Sequence, residues 1–271
     1  IKGKLMEEIK KSNGPISQVI NERRNNNTKR EHIGNGLIFS YAGHDTTGNT
    51  LTFLIYELCK KPEFQYKLRE EVNRFWICQS ENVITYKDFK RLPFMTRCIM
   101  ETLRLWPSLA NGTFRVLDKD DTIKGKNGED VILPGGTFIQ IPNWFRHRNP
   151  ELWGEDVNEF NPEREFKDEE LWEGSIINTY NPSTERFSPF TYGPRDCIGK
   201  NFSQMEMRII LLHLLQSYQF ELTEKQKLMS DDYFTFNRFT MGPRNINNIG
   251  EKDNELGLFI KIKRNVLKSK L

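Results

Sequence analysis

Apolar residues recur at helical spacing along much of the chain. In residues 201–218, Phe202, Met205, Ile209, Leu212 and Leu215 share one helical face. Residues 62–77 place Phe64, Leu68, Val72 and Phe75 on one face in the same way. A helix over 95–105, led in by Asp88 and Phe89, ends before Pro107. The longest apolar stretch, 31–60, stops at Lys61-Pro62 and predicts a helix buried through Leu37, Ile38, Phe39, Leu51, Phe53, Leu54 and Ile55. Its middle, Ala42-Gly43-His44-Asp45-Thr46-Thr47-Gly48, is poor helix material and predicts a break or kink. Residues 112–140 alternate β-like runs around Arg115, Ile123, Ile132 and Ile139 with turns such as Lys126-Asn127-Gly128 and Pro134-Gly135-Gly136, which predicts a small antiparallel sheet. Further strands are expected at 234–239 and 256–262. Residues 1–11 suit the end of a helix, 12–28 and 242–254 suit loops, and 167–186 suits a solvent-exposed insertion. The fold class is mainly α with a minor antiparallel β region.

Composition narrows the function. The chain has 271 residues, 37% hydrophobic and 28% charged, enough for a sizeable core. Its net charge of +3, from 40 basic and 37 acidic residues, makes no electrostatic case for nucleic acid. Cys59, Cys78, Cys98 and Cys197 are widely spaced with no CxxC pair, so they suit reduced thiols facing a cytosol better than a disulfide framework or a zinc site. No run of about 18 apolar residues is present. No signal peptide opens the chain, so the sequons at Asn26, Asn111 and Asn201 are expected to be chance matches. Charged, helix-like sequence starts directly at Ile1, as in a fragment of something longer.

The candidate chemistry centres on residues 190–199, Phe-Thr-Tyr-Gly-Pro-Arg-Asp-Cys-Ile-Gly, immediately before the 201–218 helix. A cysteine at a loop-to-helix junction is placed where unpaired N–H groups and the helix dipole favour thiolate, the form that binds metal. Gly193 and Gly199 permit sharp bends or close approach to something flat. A buried structural cysteine and an axial thiolate ligand to heme iron both remain open on this loop alone. A phosphate loop does not: Gly193 and Gly199-Lys200 are one residue too far apart, and Asn201 stands where Ser or Thr should follow. Upstream, Asp45 beside Thr46 and Thr47 is either a carboxyl satisfied locally in a kinked helix or a group that handles protons. Glu101 and Arg104 share a helix face among Cys98, Ile99, Met100, Leu103 and Leu105, which predicts a buried pair in need of further partners. His147 competes on paper as a metal ligand, but packing or capping is the better expectation.

Phe190, Gly193, Arg195, Cys197 and Gly199 match the pattern Phe-x-x-Gly-x-Arg-x-Cys-x-Gly, and the loop resembles the heme-binding loop of the cytochrome P450 family. Three more signatures precede it in the family's order: the Ala/Gly-Gly-x-Asp/Glu-Thr-Thr patch at 42–47, Glu-x-x-Arg at Glu101–Arg104, and Pro162-Glu163-Arg164. The third departs slightly, since Glu165 stands where the family has Phe.

The resemblance implies the C-terminal, heme-bearing part of a single eukaryotic-type P450 domain across 1–271, with the distal helix at about 31–60. It implies heme b held by Cys197 as axial iron ligand, with Phe190, Gly193 and Gly199 shaping the loop and Arg195 and Arg115 facing propionates. Asp45 and Thr46 would be the acid–alcohol pair that delivers protons, with Thr47 packing or capping. Glu101, Arg104 and Arg164 would form a supporting three-way network. The implied activity is monooxygenation of a small lipophilic substrate with dioxygen, fed by an NADPH-dependent reductase. Lys200, Arg186 and Arg208 are candidates for the reductase-docking charge. The parent is expected at the endoplasmic reticulum membrane, facing the cytosol. Two alternatives are a heme-thiolate isomerase or peroxygenase, and a remnant unable to enclose heme alone.

Overall fold

The computed structural model describes residues 29–79, 83–172, 184, 186–191, 195–227, 233–237, 240–245 and 258–265. The chain divides into two compact units, Ile1–Gly48 and Asn49–Leu271. The expectations for 1–28, for the middle of the 167–186 segment, for most of 246–257 and for Gly193 lie outside the described residues.

Helix α1 spans Lys29–Lys60 without interruption. The expected break at 42–48 does not occur: the helix is continuous there, and Thr46 Oγ1 donates to the Ala42 carbonyl at 2.8 Å within it. The expected burial of this stretch is also uneven. Ile38 is exposed, and Ala42, Gly43 and His44 face solvent, while Asp45 and Thr46 are half-buried and Thr47 is buried.

The second unit is built around helices α2 (Pro62–Ile77), α3 (Pro93–Leu105) and, later in the chain, α6 (Lys200–Ser217). α2 and α3 each begin with proline, where the missing N–H removes no helical bond. α2 packs against both other helices. Leu68, Val72 and Phe75 of α2 meet Met95 and Ile99 of α3 and Leu211, Leu212 and Leu215 of α6 in one core, and Leu54 and Leu58 from the end of α1 join them. Burying such side chains contributes roughly 1.5–3 kcal/mol each before entropy is counted.

Two buried polar groups lock this packing. Glu71 accepts from the amides of Phe94 and Met95 at 2.8 Å each and so caps α3 from the neighbouring helix. Its burial pushes the carboxyl pKa up, and the two amides oppose that shift. Gln65 donates to the carbonyls of Leu58 (3.2 Å) and Phe220 (2.9 Å) and accepts from the Phe220 amide at 3.0 Å.

The β region differs from expectation in its pairing. Strands β1 (Thr113–Val116) and β4 (Phe138–Ile141) form one antiparallel pair, and β2 (Asp121–Lys124) and β3 (Asp130–Leu133) form another. They are two two-stranded ribbons, not one sheet. Gly112 makes the first ribbon possible: its φ is +68°, and a Cβ there would stand 1.8 Å from the Ile141 carbonyl oxygen. Helices α4 (Asn143–Arg146) and α5 (Pro150–Trp153) follow. Beyond α6, β5 (Tyr218–Leu222) pairs with β8 (Ile260–Arg264) and β6 (Tyr233–Asn237) with β7 (Met241–Asn245). Between β5 and β6 lies α7 (Glu224–Lys227). β7 therefore occupies the start of the expected 242–254 loop. Segment 167–186 also departs from an exposed insertion: Glu170, Trp172 and Thr184 are buried. No helix among the described residues is long and apolar enough to cross a membrane.

Candidate cofactor site

The loop ahead of α6 is tied at both arms. The Cys197 amide donates to the Phe190 carbonyl at 2.9 Å, closing the loop on itself. The Thr191 amide donates to the Ser188 carbonyl at 3.1 Å, and its hydroxyl reaches the Arg195 carbonyl at 3.2 Å. Thr191 holds a φ of +63°, uncommon for a β-branched residue and the sort of local strain that concentrates at functional loops. Gly199 is the N-cap residue of α6 and lies directly beside the sulfur, since a Cβ there would be in ordinary van der Waals contact with Sγ at 3.8 Å.

Cys197 is an exposed, free thiol. Ile198 beside it is 82% exposed and Phe202, one turn on, 59%. Among the described residues no three His, Cys, Asp or Glu side chains converge as a metal cage. A lone soft donor beside exposed apolar surface fits a metal that arrives inside a flat, largely apolar macrocycle bringing its own remaining ligands. The residues present therefore fit heme.

The junction does not lower the thiol pKa as the sequence predicts. Desolvation of the sulfur pushes it up and Asp196 adds to the rise, outweighing the amides of Gly199 and Lys200 and the Lys200 ammonium, which pull it down. The largest cause is the burial of the sulfur itself, with the neighbouring Asp196 carboxylate adding to it.

Behind the loop lies an ionic network. Arg104 grips Glu101 in bidentate fashion, Nε to Oε2 and Nη2 to Oε1, both at 2.7 Å, and both residues are fully buried. Its remaining donors reach the carbonyls of His147 (2.9 Å), Val157 (2.7 Å) and Glu159 (3.1 Å). Arg164 Nε touches Glu101 Oε1 at 3.3 Å and clasps Asp156 at 2.7 and 3.0 Å. Asp156 is a member that sequence reasoning missed, since neither motif nor spacing marks it; the guanidinium holds its carboxyl below the usual range. A second missed network joins Glu170, fully buried, to Thr184 and to Arg186, whose Nη2 lies 2.7 Å from Oε2.

The three cations proposed for partner docking are occupied otherwise. Arg208 is fully buried and donates to Gln204 and to Thr96 Oγ1 at 2.8 Å while stacking on Trp172. Lys200 is buried against Asp196, and Arg186 belongs to the Glu170 network. Arg195 is exposed in the loop. Arg115 is exposed on β1 and donates to the Phe114 carbonyl at 2.7 Å.

His147 is fully buried, its ring 5.2 Å from that of Phe187. Desolvation, then Arg146, Arg104 and Arg148, hold its pKa well below the usual 6.5. A base depressed in the folded state loses stability as pH falls through the ordinary imidazole range, because the unfolded chain takes up a proton that the folded one refuses. Unfolding midpoints measured from pH 7 to 5 are expected to fall, by up to about 1.4 kcal/mol per pH unit for this one group. His147→Gln is expected to flatten that segment of the profile.

A family profile described as Cytochrome P450 matches residues 5–247. Cytochrome P450 3A29 of Sus scrofa is 36% identical over 194 residues, 72% of this chain and 35% of the relative. Cytochrome P450 3A12 of Canis lupus familiaris is 35% identical over 191 residues, 70% and 34% of the two chains. The Caenorhabditis elegans protein CYP13A2, named for the same family, is 35% identical over 199 residues, 73% and 35%. The chain thus spans about a third of the length of these curated relatives. With the profile covering most of its residues, the chain belongs to the cytochrome P450 family.

Proposed function

We propose that this chain is the C-terminal, heme-bearing part of a heme-thiolate monooxygenase, with Cys197 as the axial ligand to the iron of heme b. The observation that carries the reading is the exposed, unpaired thiol of Cys197, held in a loop closed by the Phe190 carbonyl and placed immediately ahead of α6. Heme, when bound, supplies the activation of dioxygen and the oxidation of a small lipophilic substrate. The chain's own residues hold and shield it. Phe190, Gly193 and Gly199 shape the loop, Cys197 supplies the thiolate, and the guanidinium groups of Arg195 and Arg115 neutralise the propionates. Glu101, Arg104 and Arg164 stiffen the backbone behind the loop. Asp45 and Thr46 are the acid–alcohol pair that would relay protons, with the Thr46 hydroxyl held toward the Ala42 carbonyl at 2.8 Å. An NADPH-dependent reductase as electron donor, and a parent protein at the endoplasmic reticulum membrane, follow from the family resemblance alone.

The testing experiment is a carbon-monoxide difference spectrum of the reduced, heme-supplied protein. A strongly red-shifted Soret band is expected. Heme uptake without that band rejects Cys197 thiolate ligation, and absence of uptake assigns heme binding to a longer chain. Thr46→Ala is expected to keep the heme and its spectrum while reductant consumed per product rises severalfold. Unchanged coupling would remove Thr46 from proton delivery.

A further inference from the structure

The described hydrogen bonds connect the buried Glu101–Arg104 pair to the cysteine loop through one side chain. Arg104 Nη1 donates to the His147 carbonyl at 2.9 Å. Across the same residue, His147 Nε2 accepts the Ser188 amide at 3.3 Å. Ser188 is buried, its hydroxyl accepts from Arg146 Nη2 at 2.5 Å, and its carbonyl accepts from the Thr191 amide. The last bond closes the turn Ser188-Pro189-Phe190-Thr191, and the Phe190 carbonyl at the third position of that turn receives the Cys197 amide. The Ser188 amide is thus the entry to the turn that presents the acceptor for the cysteine's own backbone.

We propose that His147 is a positioning residue for Cys197: its Nε2 fixes the Ser188 amide, and this bond sets the turn whose Phe190 carbonyl holds the cysteine in place. The inference rests on the reading of Cys197 as the axial ligand and adds the element that aims it. Its chemistry suits the task. Its burial, with the three arginines beside it, keeps the ring uncharged, so that Nε2 retains the lone pair it needs as an acceptor. The contact with Phe187, itself fully buried among Trp153 and Phe166, fixes the plane of the ring. A ring that only filled space would leave the Ser188 N–H buried without a partner, a defect that folded proteins seldom carry.

The test compares His147→Phe, which keeps an aromatic ring but offers no acceptor, with His147→Gln, whose amide oxygen reaches a similar position. Amide exchange resolved to single residues is read at Ser188 and Cys197, and the reduced carbon-monoxide spectrum is read on the heme-loaded protein. His147→Phe is expected to speed exchange at both amides about ten-fold, the loss of one net hydrogen bond, and to shrink the red-shifted band relative to total heme. His147→Gln is expected to restore the protection and the band. Wild-type exchange at both amides in His147→Phe overturns the proposal. So does loosening confined to Ser188, and so does equal damage in both variants, which would assign His147 to packing alone. Should His147→Phe fail to fold, His147→Gln decides by itself: protected Ser188 and Cys197 amides support the proposal and unprotected ones overturn it. Should wild type bind heme without the red-shifted band, the ligand assignment to Cys197 falls, while the exchange data still decide whether His147 sets the turn.

Discussion

Arg104→Leu is expected to abolish accumulation of folded, heme-containing protein. The guanidinium is fully buried, makes two 2.7 Å bonds to an equally buried Glu101, and satisfies carbonyls of His147, Val157 and Glu159 that lie 43 to 55 residues away. Removing it leaves a buried carboxylate with Arg164 as its remaining cationic contact, at 3.3 Å, and leaves up to three carbonyls without this donor. Breaking a buried pair in this way costs about 3–5 kcal/mol, and a domain has only about 5–15 kcal/mol in all. Arg104→Lys is expected to be nearly as damaging, since an ammonium cannot reproduce the planar fork that reaches carboxylate and carbonyls together. Soluble yield, near-ultraviolet circular dichroism and heme content per protein check this. A folded Arg104→Leu protein with an unfolding midpoint within a few degrees of wild type would show that the network contributes specificity and not stability.

Cys197→Ala is expected to eliminate the red-shifted carbon-monoxide band completely while changing the unfolding midpoint little, because the side chain is exposed and its sulfur bonds to no other cysteine. The other thiols are poor substitutes. Burial, with Glu221 adding to it, pushes Cys59 up to about 12, and burial raises Cys98 far above its ordinary value, so neither gives thiolate readily. Cys78 is the other exposed thiol and sits at the C-terminal end of α2, outside the cysteine loop. Cys78→Ala therefore serves as the control and is expected to leave the spectrum unchanged. A band retained in Cys197→Ala and lost in Cys78→Ala would move the ligand to the other exposed cysteine.

Much of this protein is written in local pattern. The spacing of Phe64, Leu68, Val72 and Phe75 predicts α2 to the residue, and Pro107 marks where α3 must have ended. The cysteine loop alone leaves two readings open, and the three further signatures that precede it in order carry the family resemblance. One local expectation failed. The patch at 42–48 looks unfit for a helix by propensity, yet α1 runs through it without a break. Propensity is a weak prior, and packing of the flanking residues overrides it.

What the sequence determined by itself is the placement of the four long helices, the order of the motifs and the family, since local spacing and motif residues suffice for these. What only the tertiary structure decided is how charge and proton affinity are distributed. Arg208 and Lys200 look like surface cations and are buried, Glu170 looks like insertion surface and is a core anchor, and Asp156 and Ser188 carry no motif yet hold Arg164 and the cysteine turn. The Cys197 thiol is raised, although its place before a helix predicts the opposite. Desolvation and pairing act through space between segments tens of residues apart, and no periodicity along the chain encodes which segments those are.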